Sequence, residues 1–223
     1  MPQSADDTFS IIESVIRQGD ALAAVTRLDE MMRDLYWKQK NLFSAVAIGR
    51  AAAQHALISA VQIESTQPEV AIQLRKKGFA ICYNLASFTW SGWGEEGISI
   101  TPSDEMIGLD AARANLRLSG ELKLGDLQFC RAHWIVGAHQ LAARDFAAAT
   151  ESFTNSERHA RAADQRGEEW LAIAFARLAH YLAENSDALH QQLTDAIAEL
   201  AQVKDGEFFA SQVTKAMEIF TTR

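Results

Sequence analysis

Few side chains in this sequence are of types, and at spacings, that could do chemistry. Glu95-Glu96 follow Trp90-Ser91-Gly92-Trp93-Gly94, so two carboxylates and two indoles share one glycine-rich stretch. A carboxylate pair can serve acid–base work, but alone it specifies no reaction. His133 and His139 are six residues apart, about 240° around a helix, so they do not grip one metal from one face. Cys82 could be activated by a distant histidine, yet a cysteine inside an apolar helical pattern reads first as a buried, inert thiol. Arg75-Lys76-Lys77 is the densest basic run and reads as a solvated helix turn. There is no His-Glu-x-x-His, no paired-cysteine motif and no Gly-x-Ser-x-Gly elbow. Gly92-x-Gly94 leads into no lysine, as a phosphate loop would. No residue is assigned a catalytic role, and no metal or cofactor is implied.

The charge balance narrows the partners. Among 223 residues, 21 are Lys or Arg and 29 are Asp or Glu, a net charge of −8. A protein that grips phosphate backbones carries the opposite sign, because counterion release drives that binding. Nucleic acid is therefore not an expected partner. No apolar run reaches the ~18 residues of a membrane span. Residues Met1–Asp7 are polar and acidic, unlike a signal peptide. Two cysteines make no disulfide framework. The expectation is a reduced, cytoplasmic chain with no membrane contact.

The elements that must position these residues are helices. There are 38 alanines and only 3 prolines and 12 glycines. Apolar positions recur at helical spacing almost throughout, which predicts an all-α chain of about ten helices. Only Gly97–Thr101 shows β-like alternation. Gly19 stops a first helix, and Asp20 caps a second. An alanine-rich third runs from about Leu42 to Glu64. Pro68 and Pro102 sit at first-turn positions, where a missing N–H costs nothing. The Ser91–Thr101 stretch between them is the longest loop. Asp126 starts a sixth helix, apolar on two sides and so expected between neighbours. Asp145 opens the seventh, Gly167 breaks it, and the eighth covers Glu168–Ala183. The ninth covers Ser186–Val203, and a last helix spans about Glu207–Phe220. The chain reads as one domain over 1–223: an N-terminal helix (1–19), helix pairs (20–203) and a C-terminal capping helix (204–223).

Two segments look alike. Trp134-Ile135-Val136-Gly137-Ala138-His139-Gln140-Leu141 is followed by a turn and a helix carrying Ala149 and Phe153, four apart. Trp170-Leu171-Ala172-Ile173-Ala174-Phe175-Ala176-Arg177-Leu178 begins 36 residues after Trp134. Tyr83-Asn84-Leu85-Ala86 is a weaker third copy. This pattern resembles the tetratricopeptide-repeat family. In such arrays small residues let paired helices nest, while aromatics fill the wedge between pairs.

The resemblance implies an α-α superhelix of stacked antiparallel helix pairs, with a concave groove for an extended peptide or a partner helix. Taking Cys82, Trp134 and Trp170 as equivalent core positions places Tyr83, Ser87, Trp90, Ile135, His139, Leu171 and Phe175 along that groove. Asn84 is beside them, and Trp93, Glu95 and Glu96 are at its edge. The same side chains are core if the array closes on itself. The loop, too, has two readings. It either folds its aromatics over a gap between helices with the glutamates solvated, or grips a ligand. The expected function is a non-enzymatic module binding a peptide, a helix or a partner subunit in an apolar groove. The alternative is a small-molecule-binding or catalytic helical protein using the Trp90–Glu96 loop. A homodimer covering the groove is a further expectation.

Overall fold

The computed structural model describes residues 5–222, with side chains from Asp7. Among the described residues there are ten α-helices and no strand. They are α1 (Ala5–Gln18), α2 (Ala21–Trp37), α3 (Leu42–Ile63), α4 (Pro68–Phe88), α5 (Pro102–Glu121), α6 (Asp126–Ala142), α7 (Phe146–Ala162), α8 (Arg166–Glu184), α9 (Asp187–Gln202) and α10 (Gly206–Thr221). A 3-10 turn, Ser91–Trp93, lies between α4 and α5. The chain is thus all-α, and consecutive helices pack on one another within two compact units. None of these helices is long and apolar enough to cross a membrane.

The start signals act as their chemistry requires. Asp20 accepts from the Ala23 amide at 2.8 Å, and Asn41 and Asp145 accept from Ser44 and Ala148. Thr101 and Asp104 form a reciprocal capping box ahead of Pro102. The stop signals differ from expectation. Gly167 does not break a helix; it lies in the first turn of α8. The break comes earlier, at Asp164, whose φ is 54°. Lys40 and Arg144 hold the same left-handed conformation at φ 51° and 61°. At each of these turns the amide after the left-handed residue bonds back into the preceding helix: Asn41 to Leu35, Asp145 to Gln140 and Gln165 to Ala160. These bonds satisfy carbonyls that a helix end leaves open, and they offset the cost of positive φ in a residue with a Cβ.

The first unit comprises the chain through Thr89 together with Gly97–Leu122, and so holds α1–α5. Its core is Leu28 and Met32 of α2, Ile48, Ala52 and Ala56 of α3, Leu74 and Ile81 of α4, and Leu118 of α5, each fully buried. Small residues set the helix spacing. A side chain at Gly49 would come within 2.6 Å of the Met32 sulfur, and one at Gly78 within 3.0 Å of Leu57. Asn115 donates to the Phe79 carbonyl at 2.8 Å and ties α5 to α4. The Tyr36 ring stacks on Phe88 at 3.9 Å.

The second unit comprises Trp90–Glu96 and the chain from Lys123 onward, and so holds α6–α10. The turns Ala143–Asp145 and Ala163–Gln165 are three residues long, which makes α6, α7 and α8 successive antiparallel neighbours. At Gly137 of α6 any side chain would lie 2.8 Å from the Phe153 ring of α7, so the ring occupies the space glycine leaves. Cys130, Ile135 and Ala138 of α6, Ala149 and Ala160 of α7, and Phe175 and Leu178 of α8 are all buried in this core.

Candidate functional site

The most unusual side-chain environment in the second unit is built around an indole that no α-helix supplies. α6 carries Trp134, α8 carries Phe175 and α10 carries Phe220, all buried. Between them sits Trp90, which is 0% exposed. Its ring centroid lies 5.4 Å from Trp134, 5.9 Å from Phe175 and 6.1 Å from Phe220. The first two contacts are edge-on, the arrangement aromatic quadrupoles favour. The Trp90 Nε1–H donates to the Ala138 carbonyl of α6 at 2.8 Å. Trp93, half-buried, meets Trp90 edge-on at 4.6 Å and lies 5.7 Å from Trp134.

Two glycines lie at the close approaches of this turn. A Cβ on Gly92 would stand 2.2 Å from the Trp90 ring. Gly94 has φ 55°, and a Cβ there would stand 2.7 Å from Lys215 Cε and 2.9 Å from Ile219 Cδ1 of α10. One polar group on the rings of this cluster is left over. The Trp134 Nε1–H is buried and has no acceptor among the described residues. A buried donor left unmatched costs about 1–3 kcal/mol.

The expected groove residues divide between the two units. Tyr83, Asn84 and Ser87 belong to the first and are half-buried on α4. Trp90, Trp93, Ile135, His139, Leu171 and Phe175 belong to the second, where all but Trp93 are buried. These five are interior residues rather than the lining of an open cleft. Glu95 is half-buried and Glu96 exposed, at the end of the segment where it leaves the notch. Trp134 and Trp170, equated by sequence, sit in different surroundings. Trp134 is buried, whereas Trp170 is half-buried with the Arg166 guanidinium 5.9 Å over its ring. Phe220, Lys215 and the Ala138 carbonyl carry the notch as much as the tryptophans do. Sequence reasoning missed them, because α10 reads only as a capping helix and a backbone carbonyl has no sequence signal. Gly92 between two tryptophans was the one available hint.

Further titratable side chains lie on α4, α6 and α7. His159 of α7 stacks beside His133 at 5.6 Å and Phe129 at 5.2 Å, and its Nδ1 lies 2.7 Å from an Asp126 oxygen. Burial, and then the nearby His159 and Arg158, push His133 down from 6.5 to about 4. Burial pushes both the Cys82 and the Cys130 thiols up to about 11, so neither supplies thiolate near neutral pH. Cys130 also lies 3.4 Å from the Ser156 hydroxyl. Among the described residues no three His, Cys, Asp or Glu side chains cluster so as to hold a metal ion. The chain matches no protein-family model, no curated protein and no solved structure.

Proposed function

We propose that the chain is a non-enzymatic interaction module built of tetratricopeptide-like helix pairs, and that its partner is a protein. The observation that carries this reading is the seating of Trp90. A segment that belongs to no helix pair lies against α6 and α10 and is anchored by an indole, a 3-10 turn and one hydrogen bond to a helix carbonyl. That is how a helical scaffold holds a short aromatic-anchored peptide. The Gly137–Phe153 and Ala149 packing supports the repeat resemblance, because the small residues sit where paired helices must approach most closely.

The test is affinity capture from native lysate with the full chain. It is followed by titration of the purified captured protein, and by a parallel thermal-shift screen against metabolites. A stoichiometric partner that binds saturably in the purified titration supports the module. A metabolite that raises the unfolding temperature in proportion to its concentration, with no protein binding, overturns it in favour of a small-molecule site.

A further inference from the structure

We infer that the Trp90–Glu96 segment is a displaceable internal plug, and that the partner replaces it with a segment of the same chemistry. That segment has two aromatic anchors separated by two small residues on a tight turn, followed by carboxylates, with an acceptor for Trp134. This inference rests on the interaction-module reading and names the partner's chemistry.

Four observations carry it. First, the plug is a short segment rather than a helix of the scaffold, and Gly94, left-handed at φ 55°, stands at the end of its 3-10 turn. Second, its sequence is already that of a ligand. Trp90 fills the notch, Ser91 and Gly92 keep the turn small, and Trp93 covers the first indole at 4.6 Å. Third, the fit is incomplete. The plug satisfies its own Trp90 N–H through Ala138 but leaves the Trp134 N–H without an acceptor. An incoming segment that offers a carbonyl or carboxylate there makes a bond the plug does not make. Fourth, a cation stands at the plug's end. Lys215 lies beside Gly94, the residue that precedes Glu95 and Glu96 in sequence. Its side chain is 49% exposed, and its amine is 3.6 Å from Glu218. A tethered plug competes at a high effective concentration, so it holds the notch until a better-matched segment arrives.

Two experiments on the full chain test this. In the wild-type protein, amide hydrogen exchange should show Trp90–Glu96 opening at least about tenfold more often than the flanking turns of α6 and α8, by local opening. Equal protection, with release only on global unfolding, overturns the plug whatever the variants do. In a Trp90→Ala/Trp93→Ala variant, a fluorescein-labelled synthetic peptide of residues 87–96 should bind saturably at one per chain. Replacing either peptide tryptophan by alanine should weaken that binding at least about tenfold. Wild type should bind the peptide at least about a hundredfold more weakly, because its own plug competes. A folded variant that does not bind the peptide overturns the proposal, as does a variant indifferent to the tryptophans. Either failure leaves the capture of a partner through another surface intact, so this inference and the module reading fail separately.

Discussion

Gly92→Ala is the sharpest test of the notch, because a packed segment and a solvated one predict effects of opposite sign. The backbone at Gly92 is not left-handed; only Gly94 and Gly97 are, among glycines. If the segment were a solvated loop, alanine would restrict the unfolded chain and stabilise the protein by about 0.4–1 kcal/mol. In the structure, an alanine methyl at Gly92 would lie 2.2–2.6 Å from three atoms of the Trp90 ring. While the segment is seated that ring is 0% exposed and packed against Trp134, Phe175 and Phe220. Overpacking of this kind costs about 1–3 kcal/mol. Trp90→Ala by itself should cost about 3–5 kcal/mol through the vacated volume, and in that background the methyl has room. The coupling between the two changes is therefore about 1–3 kcal/mol. Urea unfolding of the four proteins of this double-mutant cycle, followed by tryptophan fluorescence and far-UV circular dichroism, measures it from midpoints at constant slope. A Gly92→Ala protein at least as stable as wild type refutes the packing argument. So does an equal loss with and without Trp90.

The remaining expectations are these. Gly137→Ala should lower the thermal midpoint by a few degrees. Contact with Phe153 at 2.8 Å outweighs the roughly 1 kcal/mol that alanine gains over glycine in a helix, and a raised midpoint would contradict this. His133 makes stability fall in acid. Above about 6.5 the ring is neutral whether folded or not; between about 6.5 and 4 only the unfolded chain holds the proton, so unfolding gains as pH drops. His133→Gln should flatten the urea midpoint against pH across that window, and an unchanged slope would remove His133 as its source. Cys82 and Cys130 should react with a thiol reagent at pH 8 more than about a hundredfold more slowly in the folded chain than in denaturant, since burial holds both thiols near 11. Rapid labelling of the native protein would show that the helices around them open.

Much of the secondary structure was legible, and for local reasons. Asp20, Thr101 and Asp145 cap helices through bonds to amides three residues on, so neighbours in sequence suffice to place those starts. The break at Asp164 was not legible. Aspartate holds positive φ there because the Gln165 amide reaches back to Ala160, and a glycine two residues beyond the turn drew the boundary to itself. The candidate site was half legible. Its tryptophans and glycines stood out by type and spacing, and their burial as one alternative reading. What they pack against did not, because Phe220 and Lys215 lie more than a hundred residues downstream.

The sequence by itself determined an all-α chain, its helix starts and the stretch that carries two indoles between glycines, since periodicity and capping act over one or two turns. Only the tertiary structure decided that Trp90 fills the space a groove would leave. That outcome rests on a hydrogen bond across 48 residues and on rings from α6, α8 and α10 meeting at one point. Burial of an aromatic is settled by which surfaces converge in space, and no local pattern encodes that convergence.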